Sequence, residues 1–271
     1  MKNKTFIVDA FTDRPFCGNP AGVCLTTGPL ENNLMQSIAS ELGFSETAFI
    51  SQNDQSEYYP IRYFSPKMEI PLCGHATLAA AKVLFQRESQ IGPIHFTTIE
   101  GLDLIIQSER ELVVMEFPVY DTFPADTPTA MLSALGLGEI VNTVYNEETK
   151  ILLLEIDDCE TLQQMAPDYE ALVRSHQGIN GVLVTATSNQ EAYDFESRYF
   201  WPWSGTNEDP VTGGTHTFLS KYWADRLGKT RLMSFQCSER TGSMEVELAG
   251  NNKVLIRGEA QIVFEGVFVV D

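Results

Sequence analysis

Short runs of β-branched and aromatic residues dominate the hydrophobic pattern of this chain, and only a few stretches carry a helical period. Strand-like segments are Phe6–Phe11, Gly22–Leu25, Thr47–Ser51, His95–Thr98, Leu102–Gln107, Glu111–Phe117, Lys150–Ile156, Gly181–Thr185, Ser243–Leu248, Val254–Arg257 and Gln261–Val269. Two more, Ile61–Phe64 and Ser197–Phe200, run into a proline after one further residue, as strands commonly do. The segment from His75 to Phe85 is rich in Ala and Leu and apolar almost all round, the pattern of a buried helix. A second helix presents Phe218, Leu219, Tyr222, Trp223 and Leu227 on one face and stops at Gly228. Asn33–Leu42 and Thr161–Val173 read as outer amphipathic helices.

The pattern repeats. Arg62-Tyr63-Phe64-Ser65-Pro66 returns as Arg198-Tyr199-Phe200-Trp201-Pro202, about half a chain length later. Each block is followed by a polar stretch (67–70 and 203–209). Pro71-Leu72-Cys73-Gly74-His75-Ala76 then parallels Pro210-Val211-Thr212-Gly213-Gly214-Thr215, and the helical patterns follow with Lys82 matching Lys221. This predicts an α+β fold of two duplicated domains, each a mostly antiparallel, barrel-like sheet wrapped around a central helix. The Pro-, Asp- and Thr-rich stretch 121–129 reads as a linker between domains at 1–120 and 130–271, with the last strand free to return to the first domain.

Composition narrows the function. Thirty-seven acidic against 18 basic residues leave a net charge of −19, which repels nucleic acid and anionic membrane surfaces. No apolar run approaches the ~20 residues of a membrane span. Cys17, Cys24, Cys73, Cys159 and Cys237 are odd in number and scattered, unlike a disulfide framework or a zinc site. Phosphate-loop, dinucleotide and H-E-x-x-H motifs are absent. The expectation is a soluble cytoplasmic protein with reduced thiols that needs neither cofactor nor metal.

In a duplicated protein the expected site is the cleft between the halves. Each central helix starts directly after a glycine turn (Gly74; Gly213-Gly214), so its free N–H groups and dipole suit a carboxylate or phosphate. Glu46, in Ser45-Glu46-Thr47-Ala48-Phe49, lies between a helix and a strand; enclosed, its carboxyl would hold its proton to higher pH and could take and return one. His75 opens the first central helix. Asp209 precedes the second, where it reads as a cap or, beside Glu208, as one of two carboxyls that raise each other's affinity for a proton. His216 reads as a packing residue. Cys73 sits where a thiol is activated, but its counterpart in the repeat is Thr212, so an epimerase with one thiol from each half is disfavoured.

Taken together, Asp9-Ala10-Phe11-Thr12, Phe16-x-Gly18-Asn19-Pro20, Ser45-Glu46-Thr47-Ala48-Phe49, Arg62-Tyr63-Phe64-x-Pro66, Pro71-x-Cys73-Gly74-His75-Ala76-Thr77 and Glu208-Asp209-Pro210-Val211-Thr212-Gly213 resemble the PhzF-like phenazine-biosynthesis isomerase family. The resemblance implies the diaminopimelate epimerase-like fold, often homodimeric, and a cofactor-free isomerase acting on a small carboxylate such as trans-2,3-dihydro-3-hydroxyanthranilate. It implies that Glu46 moves a proton between ring carbons on one face, with His75 and Asp209 binding substrate and assisting. Cys73, Gly74, Gly213, Gly214 and Thr215 would be substrate-binding positions, with the backbone at Gly74 and Gly213 receiving the carboxylate. Where the family commonly reads Thr-Gly-Ser-Ala, this chain has Thr212-Gly213-Gly214-Thr215, so a serine hydroxyl is replaced by Gly214. The other readings are a non-catalytic metabolite-binding or interaction protein on the same fold, and an amino-acid epimerase.

Overall fold

The arginine–aromatic motif builds the same local structure twice. Arg62 makes two hydrogen bonds, of 2.7 and 2.6 Å, to the carboxylate of Glu69 on the next strand. Arg198 makes the same bidentate pair with Glu208, both bonds at 2.7 Å. Each guanidinium also lies over the ring two residues on, Phe64 at 5.2 Å and Phe200 at 5.0 Å. A planar fork that also stacks on an aromatic face is what arginine, and not lysine, supplies. The intervening tyrosines, Tyr63 and Tyr199, point to the other face of the strand and are buried.

The computed structural model describes residues 2–51 and 58–269. In chain order its first elements are β1 (Lys2–Ala10), β2 (Asn19–Thr26), α1 (Asn32–Leu42), β3 (Thr47–Ser51) and β4 (Tyr58–Phe64). Next come β5 (Glu69–Ile70), α2 (Gly74–Arg87), β6 (Ile94–Thr97), β7 (Asp103–Glu109) and β8 (Leu112–Pro118). Then follow β9 (Phe123–Pro124), α3 (Thr129–Leu135), β10 (Asn142–Asn146), β11 (Ile151–Glu155), α4 (Cys159–Gln164) and α5 (Tyr169–Ser175). The remainder is β12 (Gly181–Thr187), β13 (Phe195–Trp201), β14 (Thr206–Asp209), α6 (His216–Leu227), β15 (Arg231–Gln236), β16 (Gly242–Ala249), β17 (Lys253–Gly258) and β18 (Ala260–Val269). Among the described residues, no helix is long and apolar enough to cross a membrane.

The chain forms two compact units, Met1–Glu116 with Ile256–Asp271, and Phe117–Leu255. In the first, β1 and β2 are antiparallel, β2 and β3 parallel across α1, β3 and β4 antiparallel, and β4 and β6 parallel across α2. The second repeats the order with β10 and β11, β11 and β12 across α4 and α5, β12 and β13, and β13 and β15 across α6. The fold is thus α+β and duplicated, with antiparallel pairs in the majority. Ten consecutive residues of α2, His75 to Leu84, are buried, so the helix is enclosed on every side by its own unit. In α6, Trp223 stacks on Phe195 at 5.4 Å and donates its indole N–H to Thr185 Oγ1 at 3.0 Å. The matched lysines both form ion pairs, Lys82 with Glu111 and Lys221 with Asp121.

Three expectations need correction. The helix expected over Thr161–Val173 is two, because Pro167 has no N–H to donate and Asp168 starts a new helix by accepting from Ala171 N. The stretch 121–129 is not a bare linker: β9 pairs with β10, Thr127 Oγ1 meets Thr143 Oγ1 at 2.7 Å, and Asn146 donates to Asp121 O. The boundaries drawn at 1–120 and 130–271 therefore move to Glu116/Phe117, and β18 lies antiparallel to β1 in the first unit. The polar stretch 203–209 hides β14, which has no apolar residue to reveal it and is held instead by the Arg198–Glu208 pair.

Arg198 is the more enclosed arginine, with 9% of its side chain exposed against 22% for Arg62, and it also donates to Met165 O at 2.7 Å. Removing it leaves Glu208, with only 15% of its side chain exposed, without its partner. Arg198→Ala should therefore cost about 3–5 kcal/mol and Arg62→Ala about 1–3 kcal/mol, measured by denaturant unfolding. Equal losses would refute the ranking.

Candidate functional site

The site is built from the turn that precedes β2. Gly18 has φ +68°, and a Cβ there would sit 2.2 Å from Ala10 O, so only glycine fits. Asp9 braces the same loop by accepting the N–H of Phe16 at 2.7 Å. The chain then enters β2 with Asn19 fully buried and its Nδ2 3.2 Å from His75 Nδ1. On the other side, α1 ends at Gly43 in the left-handed conformation, and Gly22 N donates to Glu46 O. This aims the Glu46 side chain, 10% exposed, at the start of α2, with Oε2 3.3 Å from His75 Nε2.

Ser45 Oγ stands 3.5 Å from the same nitrogen, and Cys73 Sγ lies 3.4 Å from His75 Nδ1 and 3.9 Å from Nε2. Burial raises the Glu46 pKa above its ordinary value, and hydrogen bonds from Ser45 and Cys73 only partly offset this. The carboxyl is thus held closer to the pH at which it can both give and take a proton. Cys73 is the N-cap residue of α2, and no side chain caps the helix start at Gly74. Glu46, Cys73 and His75 are also the three-residue grouping, among the described residues, that could hold a metal ion; their ligand atoms lie within 4.8 Å of one another.

The second unit gathers Asp209, Gly213, Gly214 and Thr215 around the start of α6. Asp209 is buried at the end of β14 and accepts from the Thr212 hydroxyl. It does not cap α6, whose N-cap is Thr215. Glu208 is committed to Arg198 and cannot act as its paired carboxyl. Gln236 fastens the turn, donating to Asp209 O at 2.6 Å and accepting from Thr212 N at 2.9 Å. Thr215 is buried and its hydroxyl donates to Thr212 O, whereas Gly214 is exposed with no atom within 4 Å of where a Cβ would lie. His216 packs: Nδ1–H donates to Thr212 O at 3.0 Å, Nε2 accepts from Ser234 at 2.8 Å, and burial pulls its pKa down to about 4.

Sequence reasoning missed Asn19, Ser45 and Gln236. Asn19 and Ser45 stood inside motifs already noted, Gly18-Asn19-Pro20 and Ser45-Glu46, whereas Gln236 carried no signal.

The family model for phenazine biosynthesis-like proteins matches residues 8–266. The chain belongs to this family. An uncharacterized isomerase of Pseudomonas aeruginosa is 42% identical, the match covering 98% of each chain. The crystal structure of a PhzF family protein from Enterococcus faecalis superposes with a TM-score of 0.90 at 37% identity, covering all of both chains. A predicted epimerase of P. aeruginosa shares the fold, with a TM-score of 0.74 at 21% identity over 99% of this chain and 100% of that one.

The pH dependence of stability follows from the raised Glu46 pKa. Below its ordinary value of 4.5 the carboxyl is neutral in both the folded and the unfolded chain. Above it the unfolded chain ionises while buried Glu46 resists, so the folded state loses stability as pH rises through the folded pKa. Glu46→Gln has no such penalty. Its melting temperature relative to that of this phenazine biosynthesis-like protein should rise from pH 4 toward neutrality. A difference independent of pH would contradict the buried-acid assignment.

Proposed function

We propose that this protein is a cofactor-independent isomerase that moves a proton within a small, cyclic or unsaturated carboxylate, with Glu46 as the shuttle. The observation that carries the reading is the buried Glu46 carboxyl, its pKa raised, 3.3 Å from His75 at the start of α2. Its carboxylate accepts a proton from one substrate carbon as electrons move into the conjugated system. The resulting acid returns the proton to another carbon on the same face, so no atom is gained or lost. His75 orients Glu46 and contacts substrate, and the uncapped start of α2 at Gly74 receives negative charge. Asp209, with the backbone at Gly213, is the second unit's candidate for substrate contact. The isomerase name of the P. aeruginosa relative supports the reaction class.

An amino-acid epimerase using Glu46 and Cys73 as opposed acid and base fits less well. Both groups contact the same imidazole and each other, whereas inversion at a carbon needs an acid and a base on opposite faces.

Trans-2,3-dihydro-3-hydroxyanthranilate incubated in D₂O should isomerise with deuterium uptake. Glu46→Gln should lower the rate by about 10²–10⁴-fold while ligand binding survives. Full activity in the variant would refute the shuttle. Ligand-induced thermal stabilisation without exchange in the unmodified protein would make it a metabolite-binding protein.

Gly214→Ser tests the substrate. The position is exposed with open space for the side chain, so the variant should fold normally and regain the hydroxyl of the family pattern. One hydrogen bond of about 0.5–1.5 kcal/mol would improve kcat/KM for this substrate roughly 2–12-fold. A loss of activity would show that the cognate substrate uses the space that glycine leaves.

A further inference from the structure

Cys73 has no part in a one-carboxyl proton shift, yet its thiol is buried against both Glu46 and His75. We propose that Glu46, Cys73 and His75 form an inhibitory site for a borderline-soft divalent cation of the Zn²⁺ class. The inhibition, though not the site itself, rests on the isomerase reading above.

The donor set is a thiolate, an imidazole and one carboxylate. That combination suits Zn²⁺ or Co²⁺ and is poor for Mg²⁺ or Ca²⁺, which prefer oxygen alone. A tetrahedral ion with bonds of about 2.0 Å to N and O and about 2.3 Å to S spaces its ligand atoms roughly 3.3–3.6 Å apart. Here His75 Nε2 is 3.3 Å from Glu46 Oε2 and 3.9 Å from Cys73 Sγ, and all the ligand atoms lie within 4.8 Å of one another, so the two separations from the imidazole are already within about half an ångström of those an ion requires. All three residues are more than nine-tenths buried, which gives the ligands fixed positions. Asn19, on the opposite ring nitrogen at 3.2 Å, orients the imidazole as the outer partner of a metal-bound histidine does. In this structure the amide presents Nδ2 to the ring; ion binding requires it to turn end for end, so that Oδ1 accepts from Nδ1–H and the Nε2 lone pair is left for the ion.

Charge also balances. Coordination replaces the thiol proton, which leaves to solvent, with a sulfur–metal bond, and no electron changes hands. The two positive charges meet one thiolate and one carboxylate. The lone pair that Glu46 needs to accept a substrate proton is then committed to the ion, so an occupied site is an inactive one.

The test uses the full chain, treated with chelator and titrated with Co²⁺ as a spectroscopic probe. The expected result is one thiolate-to-cobalt charge-transfer band saturating at one ion per chain and displaced by Zn²⁺. Cys73→Ser should abolish the band, Glu46→Gln and His75→Gln should each weaken binding at least tenfold, and Asn19→Ala should weaken it about 10–100-fold. Cys17→Ser and Cys237→Ser, at the two partly exposed thiols, should leave the band unchanged. Far-ultraviolet circular dichroism confirms that each variant is folded. No band, or a band that survives Cys73→Ser, overturns the site. In the deuterium-exchange assay, Zn²⁺ should abolish exchange and chelator restore it; exchange that continues at full rate in the Zn²⁺-saturated protein overturns the inhibitory role. A protein with no exchange activity at all removes the isomerase reading and with it the inhibition, while the site is still decided by the cobalt titration.

Discussion

Enclosure of α2 is the constraint from which the rest follows. A helix buried over ten consecutive residues must be apolar almost all round, with any polar side chain partnered, and its first turn is buried too. Polar groups at such a position have lost water and must find partners among themselves. His75, Cys73, Asn19, Ser45 and Glu46 do so, at separations of 3.2–3.9 Å for the contacts to the imidazole. The same desolvation that drives these contacts raises the Glu46 pKa. Packing and chemistry therefore have one cause here.

Duplication separates scaffold from site. Both units keep the bidentate arginine–glutamate pair, the ring under the guanidinium and the two parallel crossovers, all of which are requirements of the sheet. At the helix starts the copies diverge. Cys73 corresponds to Thr212 and His75 to Gly214, so the second copy has neither thiol nor imidazole there. Its one histidine nearby, His216, is neutral and fully committed to packing. A fold that needs two central helices does not need two sets of titratable groups, and the second start instead carries Asp209, held by Thr212 and Gln236.

Much of the fold was legible because its signals are local. The apolar run from His75, the β-branched runs and the repeated Arg-x-Phe block identify elements without any tertiary information. Failures fell where a local rule was overridden or had nothing to act on. Four polar residues, Thr206 to Asp209, form a strand because an arginine on the neighbouring strand holds one of them. The 121–129 stretch looks like a linker by composition, but its hydrogen bonds to Thr143 and Asn146 make it part of a sheet.

By itself the sequence determined the duplication, the α+β class, the family and the residue types available to the candidate site, because each depends on residue identity and spacing along the chain. Only the tertiary structure decided that Glu46 faces His75 Nε2 while Asn19 faces Nδ1, that Cys73 joins them, and that Glu208 is withdrawn into an ion pair. The physical reason is that burial and ring orientation come from residues distant in sequence: Asn19, Glu46 and His75 meet only when β2, β3 and α2 pack, and no pattern along the chain encodes which nitrogen each partner will face.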